Sequence, residues 1–347
     1  MQFFKMASSE RLVEQLWDLW CVCSVIGIWP RFIEPALLCT SRHTIPMPQL
    51  AKELDGLRLV HISDLHFSHH VSAHFLSRIQ KRIQKLEPHI ILFTGDFISY
   101  SELYAPASLA AFLSSLHAPL GCFAVLGNHD YEEYVSLDEH GAFCLFEDHT
   151  PAILRGFARL FGLKTGAQRK RVTAPIAPKR ELCQLLEKSG VRLLHNETVQ
   201  IGWKRARLNI TGLGDLMTLQ SLPFRAYHQY DVRCPGIVLS HNADTYASLR
   251  SFPGDLFLFG HTHGGQVNLP YIWERITPIR DRRLKSGLFH IHNHFLYVNR
   301  GLGATFPFRW FSPPEIALIT LTRAGLSKSV SWLASPLGEP LLEPKSC

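Results

Sequence analysis

Short runs of apolar residues, each ended by glycine or a polar residue, recur along the chain and predict buried β-strands. Five of these runs are followed at once by aspartate, asparagine or histidine, and they cover residues 57–62, 89–93, 122–126, 236–239 and 256–259. Ligands bind at the carboxyl ends of strands in open α/β sheets. The pattern therefore predicts that five strands deliver polar side chains to one edge of the molecule.

Longer stretches with a helical spacing of apolar residues lie between these runs. Residues 71–86 and 107–116 are predicted as helices, and a proline follows closely after each of them. A further helix is predicted near Glu181, strands over residues 199–203 and 208–213, and a closing strand over residues 315–322. The alternation of strands and helices places the chain in the α/β class.

Length and composition are typical of one substantial domain. The chain has 347 residues, of which 46% are hydrophobic, which allows a sizeable core. Its eight cysteines form no C-x-x-C pair, so we expect reduced, buried thiols in a cytoplasmic protein. We expect residues 1–50 to form a membrane-interface segment and approach strand, residues 51–323 the main domain, and residues 324–347 a peripheral tail.

The polar clusters after the five strands supply seven nitrogen or oxygen ligands for divalent cations. A structural zinc site uses four ligands and favours cysteine, which is absent from this set. Seven ligands exceed what one ion takes while it keeps an open position, so we expect two ions, with Asp96 as the bridging carboxylate. The mixed donors favour Mn²⁺, Fe or Zn²⁺ over Mg²⁺ and Ca²⁺. The candidate ligands are Asp64, His66, Asp96, Asn128, His241, His261 and His263.

The order of the motifs resembles that of the calcineurin-like metallophosphoesterase superfamily, and roughly residues 34–322 share the resemblance. The motifs are Asp64-Leu65-His66, Gly95-Asp96, Gly127-Asn128-His129-Asp130, Ser240-His241-Asn242 and Gly260-His261-Thr262-His263. Two of the motifs have longer forms, residues 61–66 and residues 260–266, and these are similar to the motifs of the bacterial YaeI-like branch. The segments around Glu34, Asn299 and Glu315 share this similarity. Within that branch the chain is similar to the chlamydial-type UDP-2,3-diacylglucosamine pyrophosphatases.

The resemblance implies a two-sheet sandwich flanked by helices and assigns a role to each candidate residue. It implies that Asp96 is shared between two ions. His129 corresponds to the proton donor for the leaving group, and an imidazole that titrates near neutral pH suits that role. The first ion would be held by Asp64, His66, Asp96 and His263, and the second by Asp96, Asn128, His241 and His261.

The resemblance also implies a reaction and its cofactor. We expect hydrolysis of UDP-2,3-diacylglucosamine to UMP and 2,3-diacylglucosamine 1-phosphate, a step of lipid A biosynthesis, with two divalent ions that are expected to be Mn²⁺. Two alternatives are a general metal-dependent phosphodiesterase and a non-catalytic metal-binding membrane scaffold. Arg300 and Arg309, near the end of the motif series, are candidates either for binding a phosphate or for structural ion pairs.

Residues 12–29 are rich in leucine, tryptophan, valine and isoleucine and indicate contact with a membrane. Their longest uncharged run, residues 19–30, is shorter than the roughly 20 residues that span a bilayer. We therefore predict an interfacial helix with Trp17, Trp20 and Trp29 at the headgroup level, and the alternative is a helix packed on the catalytic domain.

A second membrane signal lies in a predicted lid insertion, about residues 147–181. Residues 153, 154, 157, 160 and 161 are apolar at a helical spacing, and no acidic residue occurs between positions 150 and 180. A basic amphipathic helix is typical of binding to anionic lipid. The alternatives are a solvated charged face and a helix that packs in the core.

The net charge of +7 is compatible with several polyanionic partners. We find no helix-turn-helix, RNA-binding or zinc-finger signature, so we expect no nucleic acid. We expect a lipid-linked nucleotide-sugar substrate and a peripheral position on the inner face of the cytoplasmic membrane. The sequence leaves the oligomeric state open.

Overall fold

The computed structural model of the protein describes residues 15–47, 49–138, 140–147 and 168–323. Within these ranges the chain forms two six-stranded sheets, one three-stranded sheet and helices on the outer faces of the large sheets. Most of the predicted lid, including its amphipathic helix, and the tail from residue 324 lie outside the described residues.

The first sheet contains three of the predicted site strands side by side. Its order is β1 (Cys39–Pro46), β15 (Glu315–Thr322), β2 (Arg58–Ile62), β3 (Ile90–Thr94), β4 (Cys122–Val125) and β8 (Val191–Leu193). Strands β2, β3, β4 and β8 run parallel to one another, whereas β15 is antiparallel to β2 and parallel to β1. The closing strand therefore lies inside the sheet, beside the first site strand.

The second sheet contains the other two site strands at its centre. Its order is β13 (Gly287–Ile291), β14 (His294–Val298), β12 (Leu256–Phe259), β11 (Gly236–Leu239), β10 (Ala206–Gly212) and β9 (Glu197–Trp203). Strands β10, β11, β12 and β14 are parallel, and an antiparallel partner closes each edge. The small antiparallel sheet consists of β5 (Val135–Leu137), β6 (Phe143–Glu147) and β7 (Gln168–Arg171).

The helices begin and end where local chemistry dictates. The Ser72 hydroxyl accepts a hydrogen bond from the Phe75 amide at the start of α2, and Glu87 ends that helix in the left-handed conformation before Pro88. The helices are α1 (Gln15–Ala36), α2 (Ala73–Leu86), α3 (Pro106–Ser114), α4 (Arg180–Lys188), α5 (Pro223–Ala226), α6 (Tyr246–Leu249) and α7 (Trp273–Ile276).

Successive residues of the site strands face two different cores. In β2, Leu59 packs into the core between the sheets, whereas Val60 packs into the core below α2. In β12, Leu258 faces the same inner core and Phe257 faces the outer core below α6. Strands buried on both faces read as continuous apolar runs, which explains the sequence pattern. The predicted sandwich is confirmed, and the five predicted strands lie within one residue of their predicted ends.

The N-terminal helix α1 is longer than the uncharged run in the sequence indicated. Its 22 residues have the length and composition of a helix that could cross a membrane, which signal sequences also have. It is not packed along the catalytic domain, because its large apolar side chains are 40–65% exposed. These side chains are Leu16, Trp17, Leu19, Trp20, Val22, Val25, Ile26, Ile28, Trp29, Phe32 and Ile33.

The inner core sets the distance between the sheets, so a cavity there should cost stability. Leu92 on β3 is fully buried in that core. We predict that Leu92→Ala lowers the free energy of unfolding by about 2–5 kcal/mol, as measured by urea denaturation. Val232→Ala, at a side chain that is 77% exposed, should change it by less than about 0.5 kcal/mol. Equal effects of the two substitutions would contradict the assigned core.

Candidate metal centre

The candidate ligands meet at one edge of the sandwich, where β2, β3 and β4 of one sheet and β11 and β12 of the other end. All are buried, with at most 4% of each residue exposed. Three overlapping groups have ligand atoms within 4.8 Å of one another, so the five motifs form one continuous cluster. The groups are Asp64, His66 and His263; His66, Asp96 and His129; and Asp96, His241 and His261.

Most of the candidate ligands sit on unusual backbone. A non-glycine residue with positive φ is uncommon, and such residues cluster at functional sites at a cost of about 1–3 kcal/mol each. The sharp turns that follow the strands aim successive side chains inward instead of to alternate faces. The ligands with positive φ are Asp64 (51°), His66 (45°), Asp96 (55°), His261 (71°) and His263 (52°).

Glycines in the motifs make room for the ligand side chains. A Cβ atom at Gly127 would collide with the Asp96 carboxylate and the His241 ring. A Cβ atom at Gly260 would collide with the Asp64 carboxylate. Neither contact involves a flexible side chain that could move away cheaply, so both positions require glycine.

Asp96 lies at the centre of the cluster. Its Oδ2 atom is 3.3 Å from His66 Nε2 and 3.2 Å from His241 Nε2, so one oxygen faces an imidazole from each predicted ion set. Its Oδ1 atom accepts a hydrogen bond from the His129 amide at 3.0 Å. Burial opposes ionisation, but the imidazoles of His241 and His129 hold the pKa of Asp96 well below its usual range. This is the position that a bridging carboxylate requires.

The protonation of two facing histidines indicates that this cluster requires positive charge. His241 Nδ1 lies 2.6 Å from the Thr94 carbonyl oxygen, and His261 Nε2 lies 3.0 Å from that of Pro278. Because a carbonyl only accepts, those nitrogens carry the ring protons of the neutral rings. The other two nitrogens, His241 Nε2 and His261 Nδ1, then direct lone pairs at each other across 3.1 Å. A cation bound by both nitrogens removes this repulsion.

The pKa values of neighbouring groups agree with this requirement. Burial lowers the pKa of His241, but the carboxylates of Asp96 and Asp64 outweigh it and raise the pKa to about 10. Burial, with the nearby charge of Asp96, raises the pKa of Asp64 to about 7. A cation beside these groups would stabilise both carboxylates in their charged form.

Asn128 fits a metal ligand through its carbonyl oxygen. Its Nδ2 atom donates a hydrogen bond to the Val135 carbonyl at 2.6 Å, which fixes the orientation of the amide. Its Oδ1 atom is buried and has no hydrogen-bond partner among the described residues. A buried acceptor without a donor is costly unless a ligand satisfies it. The residues at this edge of the sheets therefore fit a pair of divalent cations.

His129 lies in a different environment from the one that its sequence position suggested. Its Nδ1 atom accepts a hydrogen bond from the Tyr100 amide at 2.8 Å, so the proton of the neutral ring is on Nε2, which is 4.0 Å from Asp96 Oδ2. Burial lowers the pKa of His129 well below the neutral value that the sequence analysis assumed. The ring, which packs 4.2 Å from that of Tyr134, is therefore a neutral hydrogen-bond donor at physiological pH.

Three supporting residues have roles that the motifs alone did not reveal. Asp130 accepts hydrogen bonds from the amides of Ile98 (3.1 Å) and Gly127 (2.9 Å), so it joins the Asp96 and Asn128 loops. Arg309 is fully buried and donates to backbone carbonyls, and Arg300 Nη2 lies 3.4 Å from Glu315 Oε1. Arg300 thus forms a structural ion pair, one of the two alternatives for these arginines, whereas Arg309 bonds to the backbone and has no ion pair among the described residues. The only sequence signal for Asp130 was its place in its motif.

Comparison with known proteins places this cluster in a family. The model of the calcineurin-like phosphoesterase family matches residues 57–265. UDP-2,3-diacylglucosamine pyrophosphatase LpxG of Chlamydia trachomatis serovar D is 38% identical over 304 residues, which are 84% of this chain and 92% of that protein. Phosphodiesterase YaeI of Escherichia coli K12 is 25% identical over 264 residues, which are 76% of this chain and 82% of that protein.

Among solved structures, the NAD nucleotidase NadN of Haemophilus influenzae aligns over 72% of this chain and 46% of its own, with a TM-score of 0.40 and 14% identity. The range matched by the family model contains every candidate ligand and all five strands that carry them. The cluster and the match thus describe the same part of the molecule, and the chain belongs to the calcineurin-like phosphoesterase family.

Proposed function

We propose that the protein is a di-metal hydrolase that cleaves the pyrophosphate of UDP-2,3-diacylglucosamine to give UMP and 2,3-diacylglucosamine 1-phosphate in lipid A biosynthesis. The observation that carries the proposal is the complete, buried ligand set around Asp96, in a chain that matches 92% of the length of LpxG. A buried centre that requires cations suits a substrate whose reacting group is a doubly charged pyrophosphate.

The ligand assignment supports two ions that share Asp96. One ion would be held by Asp64, His66, Asp96 and His263, and the other by Asp96, Asn128, His241 and His261. Two divalent cations bound there supply Lewis acidity at the phosphate oxygens. The donors are mixed imidazole nitrogen and carboxylate or amide oxygen, and we propose Mn²⁺ as the ion that this set takes.

The side chain of His129 would act on the leaving phosphate. Its Nε2 atom carries the ring proton and lies 4.0 Å from Asp96 Oδ2 in the cluster. The Tyr100 amide fixes this tautomer because it donates a hydrogen bond to Nδ1. A fixed N–H at this place donates a hydrogen bond to an oxygen that gains negative charge as the bond to phosphorus breaks. The ring needs no change of tautomer for this role.

The exposed apolar surface of α1 supports a membrane position for this enzyme. A substrate with two acyl chains resides in a bilayer, and an enzyme that works on it gains from a helix that contacts lipid. We propose that α1 attaches the protein to the inner face of the cytoplasmic membrane, with its tryptophans Trp17 and Trp20, whose rings stack 5.3 Å apart, in the headgroup region.

A general phosphodiesterase activity is the second candidate, and the match to E. coli phosphodiesterase YaeI favours it. The two candidates share the metal centre and differ in their need for acyl chains. Nothing in the described residues favours the scaffold alternative, because the set of candidate ligands is complete and His129 is present with its ring proton on Nε2.

Removal of the bridging carboxylate should empty the centre. We predict that Asp96→Ala binds neither Mn²⁺ ion and has no detectable turnover, because Asp96 contributes to both sites and balances three imidazoles. Metal content is measured by elemental analysis after dialysis, with Glu187→Ala on the exposed face of α4 as the control. A folded Asp96→Ala protein that retains two ions would show that the carboxylate is not the bridge.

Removal of this hydrogen-bond donor should separate metal binding from turnover. We predict that His129→Ala retains both ions and lowers kcat by about 10²–10³, the usual effect of losing one hydrogen-bond donor to an oxygen that gains negative charge. His228→Ala, at an exposed histidine, is the matched control and should retain full activity. A kcat for His129→Ala equal to that of the unaltered protein would contradict the role proposed for His129 at the leaving phosphate.

The substrate class is tested directly with three compounds. Purified full-length protein in mixed micelles, with and without Mn²⁺, is assayed on UDP-2,3-diacylglucosamine, on the non-acylated UDP-sugar and on an aryl phosphodiester. The proposal predicts Mn²⁺-dependent hydrolysis that strongly prefers the acylated compound. A preference for the aryl phosphodiester would establish the general phosphodiesterase instead, and absence of turnover by metal-loaded protein would favour the scaffold.

A further inference from the structure

Two residues near the end of α1, Pro30 and Glu34, are buried in protein, although most of the helix is exposed. Glu34 is 3% exposed, an unusual position for a carboxylate at the end of a helix that presents apolar side chains to its surroundings. Its Oε2 atom accepts a hydrogen bond from Trp29 Nε1 at 2.9 Å, and its Oε1 atom accepts one from the Ser312 amide. Both carboxylate oxygens are therefore committed to holding the helix end in place.

The segment that receives the helix end is organised by Arg309. Its amide donates a hydrogen bond to the Pro30 carbonyl at 2.8 Å, which is a second contact with α1. Its guanidinium is fully buried and donates to the carbonyls of Ser312 at 2.7 Å, of Arg300 at 2.9 Å and of Gly303. The Arg309 side chain thus holds together the segment between β14 and β15, and the backbone of the same residue contacts the end of the helix.

The same segment supports two candidate ligands of one ion. The Ser312 hydroxyl donates to the His263 carbonyl at 2.6 Å, and Arg309 Nη2 lies 3.3 Å from His263 Nδ1. The Gly303 amide donates to the Asp64 carbonyl at 2.7 Å. Asp64 and His263 both have positive φ, so their backbone depends on such contacts to keep its conformation. Two of the second ion's ligands, Asn128 and His241, have none of these contacts in the described residues.

Charge couples the helix end to the centre as well. The fully buried guanidinium of Arg309 brings a positive charge next to the candidate ligands, with Nη2 3.3 Å from His263 Nδ1. Glu34 offsets part of that positive charge. Without the Glu34 charge, the buried guanidinium would leave the neighbourhood of Asp64 more positive and therefore less favourable for a cation.

We propose that Glu34 and Arg309 are positioning residues that make the end of α1 part of the metal centre. They hold the Asp64 and His263 backbone in its ligating conformation, so the ion that these residues bind is retained at full affinity only while α1 is docked. The inference rests on the proposed ligand assignment and is independent of the lipid substrate. It also connects the helix assigned to the membrane with the chemistry of the site.

The test compares Mn²⁺ binding by full-length protein in detergent for Glu34→Gln, Arg309→Lys and the unaltered chain. Glu34→Gln removes the charge and keeps one acceptor, whereas Arg309→Lys keeps the charge and loses the fan of carbonyl contacts. Calorimetric titration of metal-free protein should show one site weakened about 10–100-fold, the usual effect of a lost supporting contact, while the other stays within about threefold. Glu187→Gln on α4 is the matched control.

Two results would overturn the proposal. One is that both variants bind two Mn²⁺ ions with unaltered affinities. The other is that both sites weaken equally together with a large fall in the thermal unfolding midpoint, which would indicate a general loss of structure. Because no substrate is present in the titration, a failure to hydrolyse UDP-2,3-diacylglucosamine would contradict the proposed function and leave this inference unaffected.

Discussion

The structure depends on one constraint: metal-ligand atoms that repel one another in the absence of a cation are buried close together. Two carboxylates and five imidazoles lie in a cluster with almost no solvent exposure, and two of the imidazoles, in their neutral forms, direct lone pairs at each other. Such an arrangement is unfavourable unless positive charge is present, whether protons or metal ions supply it. The left-handed backbone at five ligands adds a conformational cost to the same cluster. The motif glycines leave the space that the ligand side chains occupy.

The fold meets these costs with a rigid frame. Parallel strands that are buried on both faces share one inner core and end at one edge of each sheet. The late segment that contains Arg309 and Ser312 closes over the first and the last ligand loops, at Asp64 and His263, and also receives the end of α1. Chemistry, scaffold and the exposed apolar helix therefore meet in one small region.

The strands and the clustering of the candidate ligands could be predicted because both signals are local. A strand buried on two faces leaves a continuous apolar run, and each ligand follows its strand within a few residues. The length of α1 could not be predicted from its uncharged run, because the helix continues past the charged residues Asp18 and Arg31 to Glu34, whose partners are brought to it only by folding. The burial of Arg309 and the neutral state of His129 depend on contacts between distant parts of the chain, which a single sequence does not reveal. The lid helix stays a prediction from sequence.

The central claim is that Asp96 joins two metal ions in one centre. Electron paramagnetic resonance of the Mn²⁺-loaded protein tests it most directly, because two manganese ions that share a carboxylate oxygen interact magnetically. The account predicts a spectrum of an exchange-coupled pair at two equivalents of Mn²⁺, which Asp96→Ala abolishes. A spectrum of isolated Mn²⁺ ions at every loading would contradict it.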